Sequence, residues 1–314
     1  MSEPDTSNCV RVKDFRKIRM LGRGKYGEVW EVRKKQTKVR YAMKIVYIED
    51  SENYTQMQDL QAECNVFSVV DSPFLVKAVY SFPEGNHHYF VMEYMPNGDF
   101  ADLLQRESRL YEEESKLYLA EVVLAIEALH KYGIIHRDIK PQNIVIDSQG
   151  HVKITDYGLS EAGLVKRKQD EQKNKTLSKF ILKEMKKKEK QEVLDSERIV
   201  GSPYYMAPEV LSGAGSTSMS DWWSFGILVY HTLLGVPPFT GNNLDEIKEK
   251  VFRLQPWPAC VKFGEGEDTI SYEAKDLIDH LLKLDPQRRL GTDIEDIKQH
   301  PFFEDIDWDH LRDQ

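Results

Sequence analysis

The stretch "IIHRDIKPQNIVI", residues 134–146, holds a dense group of chemically active side chains. The group lies within eight residues and consists of His136, Arg137, Asp138, Lys140 and Asn143. Apolar residues flank it on both sides, which predicts that both ends of the stretch are buried. Charged side chains beside buried segments are costly without partners, so a solvated surface explains this group poorly. We therefore predict a functional loop here.

Two further motifs place single charges on apolar segments. "ITDYG", residues 154–158, adds Asp156 thirteen residues after Asn143. "YAMKI", residues 41–45, places Lys44 on a predicted strand, where burial of the ammonium group is costly unless an anion meets it. Glu63, on the helix predicted to follow, is a candidate partner. The alternative is an ordinary lysine at a strand edge that reaches solvent.

A glycine-rich stretch precedes Lys44. "LGRGKYGEV", residues 21–29, places Gly22, Gly24 and Gly27 between two predicted strands. Glycines in such a loop let backbone N–H groups approach phosphates. Alone, the motif fits an ordinary β-turn equally well. A dinucleotide-binding fold is not expected, because that fold requires a helix after the glycines, whereas a strand follows here.

The residue pattern changes near Pro96 from one typical of strands to one typical of helices. Residues 15–94 contain short β-branched and aromatic runs separated by glycines and polar turns, a pattern that predicts strands, with one helix over 54–70. After Pro96 the pattern predicts helices over 112–133, 220–235 and 272–286. A small strand-rich region joined to a larger helical one indicates an α+β architecture, with a ligand site expected in the cleft between them.

Composition excludes several classes of protein. The chain has 314 residues, with 40% apolar and 30% charged, which is typical of globular domains. Its three cysteines, Cys9, Cys64 and Cys260, are far apart, which argues against a disulfide framework and for a reducing compartment. We see no signal-peptide pattern and no apolar run approaching the roughly 20 residues of a membrane span. We expect a soluble, cytoplasmic protein, with an additional nuclear location left open.

The net charge of −9 conceals a basic run. Residues 166–192 contain eleven Lys or Arg against five Asp or Glu, so the remainder is acidic on balance. A nucleic-acid-binding protein is typically basic over a whole face. Nucleic acid is therefore not an expected partner.

In their order along the chain, these motifs resemble the signature set of eukaryotic protein kinases: a glycine loop, a strand lysine, a catalytic loop, a metal-binding aspartate and an "APE" segment at 207–209. The resemblance extends over about residues 15–303. "GDFADLL", "DWWSFG", "LLKLDPQRRLG" and "HPFF" are similar to the AGC group of serine/threonine kinases. "HRDIKPQN" with a long activation segment looks nearest to the microtubule-associated and Greatwall-like branch of that group.

The resemblance implies a bilobal α+β protein-kinase fold, in which a small antiparallel-sheet N-lobe with one main helix precedes a larger helical C-lobe. We expect an N-terminal extension over 1–14, the N-lobe over 15–95, the C-lobe over 96–303, and the start of a truncated or absent C-terminal tail over 304–314. The basic insert 165–196 is expected to be a flexible spacer. A docking helix for an acidic partner, or contact with an anionic membrane surface, remains the alternative.

The resemblance also implies transfer of the γ-phosphate of ATP to serine or threonine hydroxyls of protein substrates. Asp138 would act as the base and Lys140 would meet the γ-phosphate, while Lys44, paired with Glu63, would hold the α- and β-phosphates. Asn143 and Asp156 would hold Mg²⁺, with Mn²⁺ as an alternative. The other implied nucleotide-binding residues are Leu21, Gly22, Gly24, Gly27, Val29, Ala42, Met92, Glu93, Met95, Asp99 and Val145.

One motif departs from the family pattern, because "DYG" stands where "DFG" is usual. Tyr157 keeps the aromatic bulk but adds a hydroxyl that needs a partner if it is buried. We interpret this change as tolerated, since Asp156 is intact.

Residues 201–209 resemble a substrate-docking platform. Glu209 is expected to pair with Arg289, and Ser202 to touch the catalytic loop. Arg198 occupies the place of the usual phosphothreonine, where a cation would repel Arg137.

Two neighbours of Arg198 are candidates for the missing negative charge. Phosphorylation of Ser196 would supply it, as would the carboxylate of Glu197 without modification, and we leave both open. An upstream activating kinase, or a partner that stabilises the small lobe in trans, is an expected partner.

Substrate choice is expected to be relaxed. Gln142 and His231 stand where acidic residues are frequent in the group, so we predict a weak requirement for arginine before the acceptor residue. The competing class is a pseudokinase scaffold, which would have lost Lys44, Asp138, Asn143 or Asp156, and all four are present.

Overall fold

The computed structural model describes residues 10–24, 27–48, 60, 63–64, 66–157, 161–162, 202–264, 266 and 269–313. The predictions for the insert 165–196 and for Ser196, Glu197 and Arg198 lie outside these residues. The chain divides into two compact units. The first consists of Met1–Leu103 and Gln142–Gly158, and the second of Leu104–Pro141 and Leu159–Gln314.

The first unit contains a five-stranded antiparallel sheet with the strand order β1-β2-β3-β5-β4. Its strands are β1 Phe15–Gly24, β2 Gly27–Lys34, β3 Arg40–Tyr47, β4 Ala78–Glu84 and β5 His87–Glu93. Helical residues 60, 63–64 and 66–69 form what is here called the Glu63 helix. A hairpin of β7 Ile144–Ile146 and β8 Val152–Ile154 completes the unit.

Both faces of this sheet are covered by apolar packing. Alternate residues along a strand point to opposite faces, which produces two separate cores. One core contains Phe15, Val32, Met43, Ile45, Tyr89 and Val91. The other, on the side of the Glu63 helix, contains Val46, Leu60, Val76, Phe90 and Met92. Gly27 lets β2 approach β3, because a Cβ at this position would stand 1.8 Å from the carbonyl oxygen of Ile45.

The second unit is mainly helical, apart from the short pair of β6 Ile134–Ile135 with β9 Glu161–Ala162. The helix α1, Phe100–Glu107, spans the division between the units. The helices that follow are α2 Glu112–Lys131, α3 Pro208–Leu211, α4 Ser218–Leu234, α5 Leu244–Arg253, α6 Tyr272–Leu281 and α7 Ile294–Lys298.

Helix α4 is the centre of the second unit and packs against α2 and α6. Gly226 permits this close approach, because a Cβ there would stand 2.7 Å from the Cβ of Leu281. None of the helices described combines the length and apolar character needed to cross a bilayer.

The predicted succession of strands and then helices is confirmed, but the predicted end of α6 at residue 286 is wrong. The helix ends at Leu281, and Leu282 leaves helical geometry with φ −92° and ψ 47°. Arg289 then donates to the carbonyl oxygen of Lys283, which a continuing helix would use internally. Asp285 precedes a proline, a position that disfavours helical backbone.

Candidate active site

Lys44 lies between two carboxylates in the first unit. Its Nζ is 2.8 and 2.9 Å from the two oxygens of Glu63 and 2.8 Å from Oδ1 of Asp156. Burial by itself lowers the pKa of Lys44, but the charges of Glu63 and Asp156 and their hydrogen bonds outweigh it, so the pKa is raised. Lys44 is therefore a permanent cation, and its predicted pairing with Glu63 is confirmed. We call Lys44, Glu63 and Asp156 the lysine triad.

The backbone around Asp156 is held in a strained conformation. Asp156 has φ 66°, a region that non-glycine residues rarely occupy. The N–H of Thr155 donates to the carbonyl oxygen of Asn143 at 2.9 Å, which joins the two predicted cation ligands through adjacent backbone. The hydroxyl of buried Tyr157 donates to the carbonyl oxygen of Ile154 at 2.7 Å, so the partner predicted for it exists. The Tyr157 and Phe67 rings are nearly perpendicular, with their centroids 5.3 Å apart.

The glycine stretch leaves open space on strand β1. Apart from its two chain neighbours, no atom of the described residues lies within 4 Å of the position that a Cβ at Gly22 would occupy. Gly22 is opposite Val29, and Val29 is opposite Lys44 in the next strand, so these three residues share one face of the sheet. Gly24 pairs with Gly27 where β1 meets β2. Within the described part of the chain, the face beside Lys44 therefore leaves room for an anionic ligand at Gly22.

Four of the predicted nucleotide-binding residues, Ala42, Met92, Met95 and Val145, belong to one apolar cluster. Ala42 is directly opposite Met92. Val145 forms a bridge with Asp99, whose pKa is raised by burial. Leu21 is different, because it lies at an irregularity of β1 with 39% of its surface exposed, outside this cluster.

The side-chain carboxylate of Glu93, at the end of β5, has contacts that the sequence did not predict, since only the backbone of this residue was expected in the nucleotide site. One of its oxygens accepts a hydrogen bond from Lys153 Nζ at 2.7 Å, and the other accepts one from the backbone N–H of Lys77 at 2.9 Å. Lys153 pairs with Val145 in the β7–β8 hairpin. Glu93 thus ties the strand that carries Val145 to the segment that carries Met92. A lysine in an otherwise apolar three-residue strand was the available signal.

In the second unit, Asp138 and Lys140 form a compact group with Ser202. Lys140 Nζ is 2.6 Å from Oδ2 of Asp138 and 2.8 Å from Oγ of Ser202. The backbone N–H of Ser202 donates to Oδ1 of Asp138 at 3.1 Å. The predicted contact of Ser202 with the catalytic loop is therefore confirmed. Buried Asp138 is held in one orientation by these partners.

Asp221, near the start of α4, organises this loop and was also missed as a functional residue. It is fully buried and accepts the backbone N–H groups of His136 at 2.9 Å and Arg137 at 2.8 Å. Its carboxylate also lies 2.8 Å from Nε2 of His130. Arg137 has φ 69°, so Asp221 stabilises a strained turn next to Asp138. An acidic residue at the head of an otherwise apolar helix was the available signal.

The platform segment is anchored by an ion pair. Arg289 donates to both oxygens of Glu209, at 2.8 and 3.0 Å, which confirms the predicted pairing. The Arg289 side chain is fully buried, so the pair is shielded from solvent screening. Next to it, the hydroxyl of Tyr205 is 2.6 Å from Nδ1 of His231. Burial lowers the pKa of His231, which favours a neutral ring there.

The residues present fit a nucleotide with a hard divalent cation. Asn143 and Asp156 offer an amide oxygen and a carboxylate, the ligand types that Mg²⁺ prefers together with phosphate oxygens. No group of three or more His, Cys, Asp or Glu side chains in the described residues is arranged to hold a metal by itself. This donor set therefore suits a cation that arrives with phosphates.

Comparisons with known proteins agree with this geometry. The family model described as "Protein kinase domain" matches residues 15–303. The chain is 38% identical over 315 residues to "Probable serine/threonine protein kinase IRE" from Arabidopsis thaliana, with 98% of this chain and 26% of that protein covered. It is 39% identical over 317 residues to "Serine/threonine-protein kinase sax-1" from Caenorhabditis briggsae, with 97% of this chain and 66% of the relative covered.

A third relative, "Serine/threonine-protein kinase CBK1" from Candida albicans, is 37% identical over 335 residues, with 97% of this chain and 45% of the relative covered. The chain thus spans about a quarter of the length of the plant relative and about two thirds of the nematode one. The predicted resemblance and fold are confirmed, while the Greatwall-like branch stays a prediction. The chain belongs to the protein kinase family, in the AGC group of eukaryotic serine/threonine protein kinases.

Proposed function

We propose that this chain transfers the γ-phosphate of ATP to serine and threonine hydroxyls of protein substrates, with Mg²⁺ as the preferred cation and Mn²⁺ as a substitute. The observation that carries the proposal is the lysine triad. Lys44 is held by nearly buried Glu63 on one side and by Asp156 on the other, whose side chain is 48% exposed. A fixed cation beside an accessible carboxylate is the arrangement that phosphate groups with a divalent cation require.

In the proposed nucleotide site, the adenine slot is lined by Leu21, Val29, Ala42, Met92 and Val145. Backbone groups of Glu93 and Met95 bind its edge, and Asp99 binds the ribose. The backbone at Gly22, Gly24 and Gly27 approaches the phosphates, and Lys44 holds the α- and β-phosphates. Asn143 and Asp156 would hold the cation, and the cation would supply positive charge beside the transferring phosphoryl group.

In the proposed chemical step, Asp138 orients the substrate hydroxyl and accepts its proton. Its fixed contacts with Lys140 and Ser202 support this role, because a preoriented base does not have to reorganise during the reaction. Lys140 stabilises negative charge on the γ-phosphate. Ser202 fixes the positions of Lys140 and Asp138 relative to each other. Asp221 fixes the backbone of His136 and Arg137, immediately before Asp138.

The test is phosphate incorporation into a generic serine/threonine substrate by purified protein with Mg²⁺ and ATP. Asp156→Ala and Asp138→Asn are expected to reduce the rate by at least about a hundredfold. Asp309→Ala, an exposed aspartate in the C-terminal segment, serves as the matched control and is expected to retain activity. A wild-type protein that binds ATP but transfers no phosphate would reject the enzymatic proposal in favour of a scaffold.

We further propose relaxed selection for arginine before the acceptor residue, because neutral His231 occupies the platform beside Tyr205. His231→Glu is expected to raise the preference for arginine two residues upstream by about fivefold or more, since it adds a carboxylate to that surface. A peptide array comparing the two proteins measures this preference. Strict dependence on arginine in the wild type would contradict the proposal.

For activation, we propose that phosphorylated Ser196 or the carboxylate of Glu197 supplies the anion that faces Arg137. An upstream activating kinase, or a partner of the small lobe, would complete the active state. Comparing Ser196→Ala with Glu197→Gln in the same kinase assay tests this proposal. Unchanged rates in both variants would remove it.

A further inference from the structure

Four arginines lie together on one face of the first unit's sheet. Arg16 is directly opposite Arg33, and Arg33 is directly opposite Arg40 on the next strand. Residues directly opposite in antiparallel strands point to the same face, so these three side chains form a line across β1, β2 and β3. Arg19 stands beside this line, opposite Glu31. We call these four residues the arginine row.

The charges within the arginine row are poorly balanced. Within strands β1, β2 and β3, the acid that shares its face is Glu31, at 2.8 Å from Arg19 and 3.2 Å from Arg40. Neither Arg16 nor Arg33 forms an ion pair with any residue that the structure describes. Like charges directly opposite each other destabilise a sheet. A chain with a net charge of −9 nevertheless places them side by side.

Part of the row is preorganised by Tyr94. Arg19 donates to the Tyr94 hydroxyl at 2.9 Å, and the Arg40 guanidinium lies 4.6 Å from the centre of the Tyr94 ring. Ring stacking and the shared carboxylate hold these two guanidinium groups in place while leaving their side chains 61% and 47% exposed. Such fixed guanidinium forks suit bidentate binding of phosphate groups.

From this arrangement we propose that the arginine row is a docking surface for a protein segment that carries phosphoserine or phosphothreonine. Neighbouring strands are about 4.8 Å apart, so the line from Arg16 to Arg40 spans about 10 Å. On an extended peptide, side chains two positions apart point to the same side with their Cα atoms about 7 Å apart, so two phosphates at this spacing both face the row and fall within its length. The row therefore matches a doubly phosphorylated segment, a role beyond phosphoryl transfer itself.

The test uses a fluorescent extended peptide with two phosphoserines two positions apart, and measures its binding to the full chain by anisotropy. Arg16→Glu/Arg33→Glu is expected to weaken binding by at least about tenfold. The control is Arg253→Glu/Arg288→Glu, which makes the same change of charge on exposed arginines of the second unit and is expected to bind normally. Arg16→Lys/Arg33→Lys is expected to bind with intermediate affinity, because lysine keeps the charge and loses the fork.

Two measurements keep the test interpretable. The melting temperature of the Arg16→Glu/Arg33→Glu variant should stay within a few degrees of the wild-type value, since both side chains are exposed and one pair of opposed like charges replaces another, and a large decrease would contradict the proposed row. The unphosphorylated peptide and inorganic phosphate alone should bind weakly. Equal loss of binding in the control variant would overturn the proposal. Arginine-dependent binding to phosphatidylserine vesicles in preference to the phosphopeptide would overturn it in favour of a membrane surface.

Discussion

At the scale of single residues, Asp221 accounts for the strained turn next to the proposed base. Positive φ at a non-glycine residue such as Arg137 costs about 1–3 kcal/mol and persists only where its surroundings enforce it. Asp221→Asn keeps the shape of the side chain but replaces one accepting oxygen with an amide NH₂, which faces a backbone N–H donor and cannot accept its hydrogen bond. We expect the free energy of unfolding to fall by about 2–4 kcal/mol. Urea denaturation measures this change, and a loss below about 0.5 kcal/mol would contradict the assigned role.

The same residue predicts a pH dependence. Burial alone raises the pKa of Asp221, but the hydrogen bond with His130, the charges of His130 and His136, and the N–H of Arg137 outweigh it, so the pKa is lowered. A carboxyl with a lowered folded pKa stabilises the fold above its unfolded value of about 3.9 and loses that contribution as the pH falls through the folded pKa. Wild-type stability should therefore decrease more steeply below about pH 4 than that of Asp221→Asn. Parallel profiles would exclude this contribution.

Tyr157 provides a second prediction at this scale. Its hydroxyl is kept protonated because burial raises its pKa, and it donates to the carbonyl oxygen of Ile154. That carbonyl also accepts the N–H of Val76 at 2.9 Å, so it keeps a partner when the hydroxyl is removed. Tyr157→Phe should lower the free energy of unfolding by about 0.5–1.5 kcal/mol and leave phosphate transfer nearly unchanged. Loss of transfer would show that the hydroxyl is required in the active state.

At the scale of elements, the Lys153–Glu93 pair ties the β7–β8 hairpin to the end of β5. Lys153→Met is expected to raise KM for ATP several-fold with little change in kcat, because Val145 and Met92 lose a common anchor. The free energy of unfolding should fall by about 1–2 kcal/mol. Steady-state kinetics with ATP as the varied substrate separates KM from kcat.

Two variants complete this experiment. Lys77→Met makes the same substitution in an ion pair with Asp71 whose side chains are 52% and 86% exposed, and should change stability by less than about 1 kcal/mol. Lys153→Arg should restore most of the ATP affinity through the retained charge. Equal effects of the Lys153→Met and Lys77→Met variants would contradict an anchoring role.

Elements with a strong local sequence pattern were predicted more accurately than those that depend on distant contacts. Helix α4 was predicted well, since its apolar residues are continuous and Gly235 follows with φ 78°. The end of α6 was predicted less well, because it depends on a contact that is distant in sequence. The carbonyl oxygen of Lys283 accepts a hydrogen bond from the side chain of Arg289, which lies beyond the helix. Charge counted over the whole chain also concealed the arginines of β1, β2 and β3.

At the scale of the whole molecule, nucleotide binding and phosphate transfer should be separable, because the lysine triad and Asp138 belong to different units. At a concentration about a hundredfold above its Kd, Mg-ATP should stabilise the wild type by about 2.7 kcal/mol. Asp138→Asn should keep this increment while losing transfer, and Asp156→Ala should lose most of both. Thermal unfolding with and without Mg-ATP measures the increments. Equal increments in all three proteins would show that Asp156 does not support the nucleotide.

The sequence by itself determined the family, the order of strands and helices, and the identity of the charged motifs. These features depend on residue type and on spacing over a few positions, which local patterns report. Only the tertiary structure decided which charges meet. Lys44 and Asp156 are 112 residues apart, and Asp221 lies 84 residues from Arg137. The line of Arg16, Arg33 and Arg40 depends on strand register, because a shift of one residue would move a side chain to the other face.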